Sequence, residues 1–105
     1  MKNGHFATGT VEGTGAAIVV QTGFEPSEVR IDNIDGDCIL YWNDAMPADS
    51  GMKTIAAGTT AHITSDGVTV YAGTAGGNSA GFTIGADSDI NVSAETLVWS
   101  AKGQP

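Results

Sequence analysis

Turn-forming residues punctuate this chain so regularly that short β-strands are the element it can build. Turn signals fall about every 8 to 12 residues, at Gly13-Thr14-Gly15, Gly23 with Pro26, Asp35-Gly36, Pro47 with Gly51, Gly58, Asp66-Gly67, the glycine-rich stretch 73–81 and Gly85. Between them the apolar residues alternate or cluster in short runs, and no segment keeps the 3.6-residue period of a helix for two turns. This is the pattern of an all-β sandwich or barrel.

Residues 22–42 are the centre of that pattern. Val29, Ile31 and Asn33 are predicted to share one face of a strand, with Glu28, Arg30 and Asp32 on the other. Cys38-Ile39-Leu40-Tyr41-Trp42 is an unbroken apolar run rich in β-formers, expected to be covered on both faces. Asp35-Gly36 between them predicts a hairpin in which Gly36 takes a positive φ. Upstream, residues 7–12 and 16–22 read as a first hairpin, and Gly23-Phe24-Glu25-Pro26-Ser27 as a corner plugged by Phe24. Downstream, strands are expected over 53–57, 61–65, 68–72, 82–84, 90–92 and 95–101, with a hairpin turn at Ser65-Asp66-Gly67. The whole is expected to be one antiparallel β-sandwich, jelly-roll-like, of about eight or nine short strands over residues 7–102. A flexible arm (1–6) precedes it and a tail (103–105) follows.

At 105 residues the chain holds one core. Twelve acidic residues against four basic ones give a formal charge of −8, a field that repels phosphate backbones and anionic lipid, so neither nucleic acid nor membrane is an expected partner. Apolar runs are far shorter than a membrane span needs. The first residues lack the apolar core of a signal peptide, so the chain is expected to stay in the cytosol or leave it within an assembly. Cys38, the one cysteine, lies in the most apolar strand and is expected in the core.

No residue announces a reaction, and neither a catalytic group nor a cofactor is expected. Gly77-Asn78-Ser79-Ala80-Gly81 fits the spelling of a nucleophile elbow, but glycines precede it, a strand follows it and no histidine lies downstream. Asp87, Asp89 and Asn91 place oxygens at alternate positions, as a calcium loop begins, yet Val92 and Val98 stand where that loop needs Gly and Glu; they are weak metal candidates at a turn. The same holds for Asp32, Asp35 and Asp37. His5 and His62 are isolated. Trp42 and Trp99 are expected in the core or its rim, and if exposed they would offer a sugar-stacking face. Partner contact is assigned to the arm, Met1, Lys2, Asn3, Gly4, His5 and Phe6, and to Met46 and Met52 in the loop that follows Trp42, which otherwise fill gaps at the mouth of the sandwich.

Two stretches resemble small β-sandwich structural proteins of tailed bacteriophages: Gly23-Phe24-Glu25-Pro26-Ser27-Glu28-Val29-Arg30-Ile31-Asp32-Asn33, and Gly81-Phe82-Thr83-Ile84-Gly85 continuing through Asp89-Ile90-Asn91 to Glu95-Thr96-Leu97-Val98-Trp99. The resemblance implies a non-enzymatic virion component assembled in the host cytoplasm. The role it favours is a capsid decoration (cement) protein on the head shell; alternatives are a tail, fibre or spike accessory domain, or a lectin-like module. It also implies the major capsid protein or another virion protein as partner, and a homo-oligomer such as a trimer. The chain lacks the long shaft or repeat of a fibre protein.

Overall fold

A computed structural model describes residues 5–74, 77 and 79–103. The described residues form eight strands and no helix: β1 (His5–Glu12), β2 (Ile18–Gln21), β3 (Glu28–Asn33), β4 (Cys38–Asn43), β5 (Ser50–Thr54), β6 (Thr60–Tyr71), β7 (Gly81–Ile84) and β8 (Thr96–Gly103). All pairings are antiparallel, in the order β1-β8-β3-β4-β5-β6-β7-β2. The all-β fold is therefore as the sequence predicts. Its ladders define one continuous sheet rather than two separately bounded ones.

That sheet curls until its own face becomes the core. β7 and β8 stand five places apart in the order, which in a flat sheet would separate them by about 24 Å. Yet the Phe82 and Trp99 rings meet edge to face with centroids 5.5 Å apart. Val29 and Ile31 on β3, Leu40 and Trp42 on β4, Val68 on β6, Phe82 and Ile84 on β7, and Leu97, Trp99 and Ala101 on β8 line the enclosed side. The alternation of β3 carries through, with Asn33 buried beside Val29 and Ile31 and Arg30 exposed; β4, expected to be covered on both faces, alternates instead, with Cys38, Leu40 and Trp42 buried and Ile39 and Tyr41 only half-buried.

Several local expectations are corrected. Residues 7–12 and 16–22 do not pair as a hairpin: β1 pairs with β8 and β2 with β7, at opposite edges of the sheet. The link between them is pinned instead, since Gly13 N–H donates to the Glu95 carbonyl and Thr14 N–H to Asn91 Oδ1. Residues 60–71 are one long strand, not two. Ser65-Asp66-Gly67 forms a bulge in which the partner register jumps from Gly51↔Ile63 to Ser50↔Val68, so the first half of β6 pairs with β5 and the second with β7. Asp66 takes φ 61°, and a Cβ on Gly67 would fall 2.1 Å from the Ser50 carbonyl oxygen, which restricts that position to glycine.

In the β3–β4 turn the positive φ belongs to Asp37, at 56°, and not to Gly36. Asn33 Oδ1 accepts from both the Asp35 and Gly36 N–H groups, which fixes the turn early and leaves the left-handed step to a residue whose short side chain tolerates it. Residues 90–92 are not a strand; they belong to a turn that drops Ile90, fully buried, into the core. His5 and Phe6, expected in the arm, open β1 opposite Gly103 and Lys102, and Gly103 itself closes β8 rather than joining a tail. Met1, Lys2, Asn3 and Gly4 lie outside the described residues, as do positions 104 and 105.

Candidate functional site

The turn that carries the metal candidates is built around a cation of the chain's own. Gly51 and Lys53 share the core-facing parity of β5, and the Lys53 ammonium reaches out from that face to the 85–95 loop. There it donates to both oxygens of Asp87, at 3.1 and 3.0 Å, and to Asp89 Oδ2 at 2.7 Å. The Lys53 side chain is 15% exposed and that of Asp87 9%. Burial alone would lower the lysine pKa, but the bonds to Asp89 and Asp87 outweigh it and hold the group above its ordinary 10.5. Asp87 Oδ1 also accepts from the Asp89 and Ile90 N–H groups, so the carboxylate closes its own turn.

Asn91, the third metal candidate, is committed elsewhere. Its Oδ1 accepts from the Thr14 and Gly15 N–H groups and its Nδ2 donates to the Ala16 and Gly85 carbonyls. All four hydrogen-bonding positions of the amide are used. Asn91 thus ties the β1–β2 link to the loop after β7, while Asp87 and Asp89 face Lys53. The other acidic trio is dispersed in the same way. Asp32 pairs with Arg30 at 2.9 Å, and Asp35 Oδ2 accepts from Thr96 N–H. Among the described residues no three His, Cys, Asp or Glu side chains gather as a metal site.

A hollow of about 220 Å³ on the outer face of the sheet is lined by Glu28, Arg30, Tyr41, Ser100 and Lys102. Its polar groups also satisfy one another. The Tyr41 hydroxyl donates to Glu28, Asn43 Nδ2 donates to the Tyr41 oxygen, and Lys102 lies 3.5 Å from Glu28. The Tyr41 bond, opposed by burial and aided by Lys102, holds the Glu28 carboxyl below its ordinary 4.5. Arg30 is raised by its bond to Asp32.

The remaining candidates are structural or peripheral. Trp42 and Trp99 are buried, at 3% and 9% exposure, so neither indole offers a sugar platform; Trp42 Nε1 donates to the Pro47 carbonyl. Cys38 is buried and its thiol donates to the Gly36 carbonyl. Ser79 donates through both its N–H and its hydroxyl to Gln21 Oε1. His62 is exposed on β6 opposite Met52, whereas His5 stacks on Phe24 with ring centroids 5.0 Å apart. The structure does not bring these two together. Met46 packs against the core from the β4–β5 loop, and Met52, expected in that loop, is half-buried in β5 opposite Tyr41. Of the arm residues described, His5 and Phe6 are both exposed on β1, Phe6 at 62%.

Sequence reasoning missed Lys53 and Asn91 as organising residues. The signal for Lys53 is a lone cation at an inward position of a strand in a chain of strong negative charge. Comparison with protein-family models, with curated proteins and with solved structures finds no match.

Proposed function

We propose that this chain is a non-catalytic virion structural protein of the tailed-phage type, a capsid decoration protein that binds and stabilises the head shell. The observation that supports this reading is the contrast between the molecule's polar clusters and the margin of its sheet. The polar groups at Lys53–Asp87–Asp89 and Glu28–Tyr41–Lys102 are spent on one another and those of Asn91 on the main chain, whereas an eight-residue strand lies at the edge of the sheet with Phe6 exposed and, among the described residues, no strand paired with its outer side. Such a domain has contact to offer rather than a reaction. The two stretches that carry the phage resemblance also meet in the fold, since Ile31 pairs with Trp99 and Trp99 touches Phe82. The negative surface favours a basic acceptor on the shell, and many copies on a lattice gain from multivalency.

Copy number per particle tests the proposal, by quantitative mass spectrometry of purified virions of the phage that encodes the chain. Hundreds of copies, the order set by a repeated capsid surface, are expected for lattice decoration. A few to a few dozen would assign the chain to the tail, a vertex or a fibre, and absence from the particle would overturn the virion reading.

A further inference from the structure

The open edge of β1 has the length and register to pair with itself. Gly13 N–H donates to Glu95 O, and on the far side of β8 Ile34 N–H donates to Thr96 O. Antiparallel ladders alternate the direction of their main-chain groups. The odd residues of β1 (5, 7, 9 and 11) therefore turn their N–H and C=O groups toward β8, and Phe6, Thr8, Thr10 and Glu12 turn theirs outward. Among the described residues no strand pairs with that side.

Soluble proteins protect such edges with lysine, proline, bulges or brevity. β1 has none of these: it runs eight residues in unbroken register against β8, and its one formal charge, Glu12, sits at its end. The competing open stretches are weaker templates. β2 has four residues, and the first half of β6 is short and twisted by the bulge before Val68.

We propose that β1 is a homotypic docking edge, at which two copies of this chain join antiparallel about a two-fold axis through Gly9. Because outward-facing residues must lie opposite outward-facing residues, the permitted registers are few. The one centred on Gly9 places Phe6 opposite Glu12 and Thr8 opposite Thr10, and so satisfies the outward N–H and C=O of all four residues in both copies. Shifting the centre to Thr8 leaves Glu12 without a partner among the described residues. The Gly9 register also sets Thr8 against Thr10 on the outer face and Ala7 against Val11 on the core side, both favourable cross-strand pairs. It brings Glu12 of one copy to the end of the strand where the other carries His5 and Phe6, whereas a parallel arrangement would bring the two Glu12 carboxylates together. An isologous contact of this kind closes at two. With −8 on each copy, the dimer tightens as salt screens the repulsion.

This inference does not rest on the virion reading, and it is tested on the isolated protein by sedimentation equilibrium at rising concentration in moderate salt. The wild type is expected to be dimeric at micromolar to tens of micromolar. Thr8→Pro removes an outward N–H while leaving the β8 ladder intact, and is expected to raise the dissociation constant about tenfold or more with cooperative unfolding retained. Two further variants secure the register. Thr8→Lys/Thr10→Lys and Thr8→Glu/Thr10→Glu each place like charges opposite one another and should be monomeric alone, whereas their mixture should form a heterodimer. A wild type that stays monomeric up to about 100 μM in moderate salt would overturn the proposal in favour of a strand from another protein. So would a dimer that none of these variants weakens.

Discussion

Asn91, which the sequence offers as a metal ligand, spends its whole side-chain amide on the main chain instead. Its amide joins a carbonyl and two N–H groups of the β1–β2 link to a carbonyl of the loop after β7, and it does so at 2% exposure. Asn91→Leu keeps the volume and strands four main-chain groups, so it should cost about 2 to 4 kcal/mol in urea unfolding. A loss below about 0.5 kcal/mol would mean that water replaces the amide at no penalty. Lys53 makes the second residue-scale prediction. Its folded pKa lies above the ordinary 10.5, so the stability it contributes is complete below that value and is lost as pH rises through the folded value. The urea midpoint should therefore fall more steeply in the wild type than in Lys53→Met once pH rises above the ordinary lysine value of 10.5. That substitution should itself cost about 3 kcal/mol near neutral pH, because it leaves Asp87 buried without its cation. At this scale the sequence was only partly legible. Alternating oxygens at Asp87, Asp89 and Asn91 are visible in one dimension, but that Lys53 reaches the first two and that Asn91 turns to Thr14 depends on contacts 34 to 77 residues apart.

At the scale of elements, alternation and turn chemistry fixed most strands, and β3, β4 and the closing strand lie close to where the residues 22–42 and 95–101 place them. Pairing was less accessible. The 7–12 and 16–22 segments look like a hairpin because both are β-prone and glycines separate them, but turn residues permit a reversal without requiring one. Here Asn91 and Glu95 capture the link and send its two strands to opposite edges. The Ser65-Asp66-Gly67 signal misleads in the same way, because a left-handed Asp beside Gly suits a bulge as well as a hairpin. Gly9 shows how a pairing can depend on an absent side chain: it lies opposite Trp99, and a Cβ there would come within 2.7 Å of the indole. Gly9→Val should displace that ring, at a cost of about 1 to 3 kcal/mol, and shift tryptophan emission to the red as Trp99 meets solvent. Unchanged emission and stability would show that the indole does not need the bare backbone.

For the molecule as a whole, charge and edges decide what it can meet. Among the described residues the buried polar side chains are paired and the tryptophans enclosed, and the chain carries a charge of −8, so the margin of the sheet is a place where new hydrogen bonds can form without breaking old ones. The β-character of residues 7–12 was readable from the sequence; that the strand begins at His5 and forms an edge was not, because edge status is a property of strand order. Amide exchange resolved along β1 examines this margin most directly. In dilute protein, Ala7, Gly9 and Val11 should be protected by β8 while Phe6, Thr8, Thr10 and Glu12 exchange freely, and at concentrations where copies associate the second set should become protected as well. Uniform protection of all seven amides at the lowest concentration would mean that the edge is already covered within the chain. A pattern indifferent to concentration would mean that copies do not meet there.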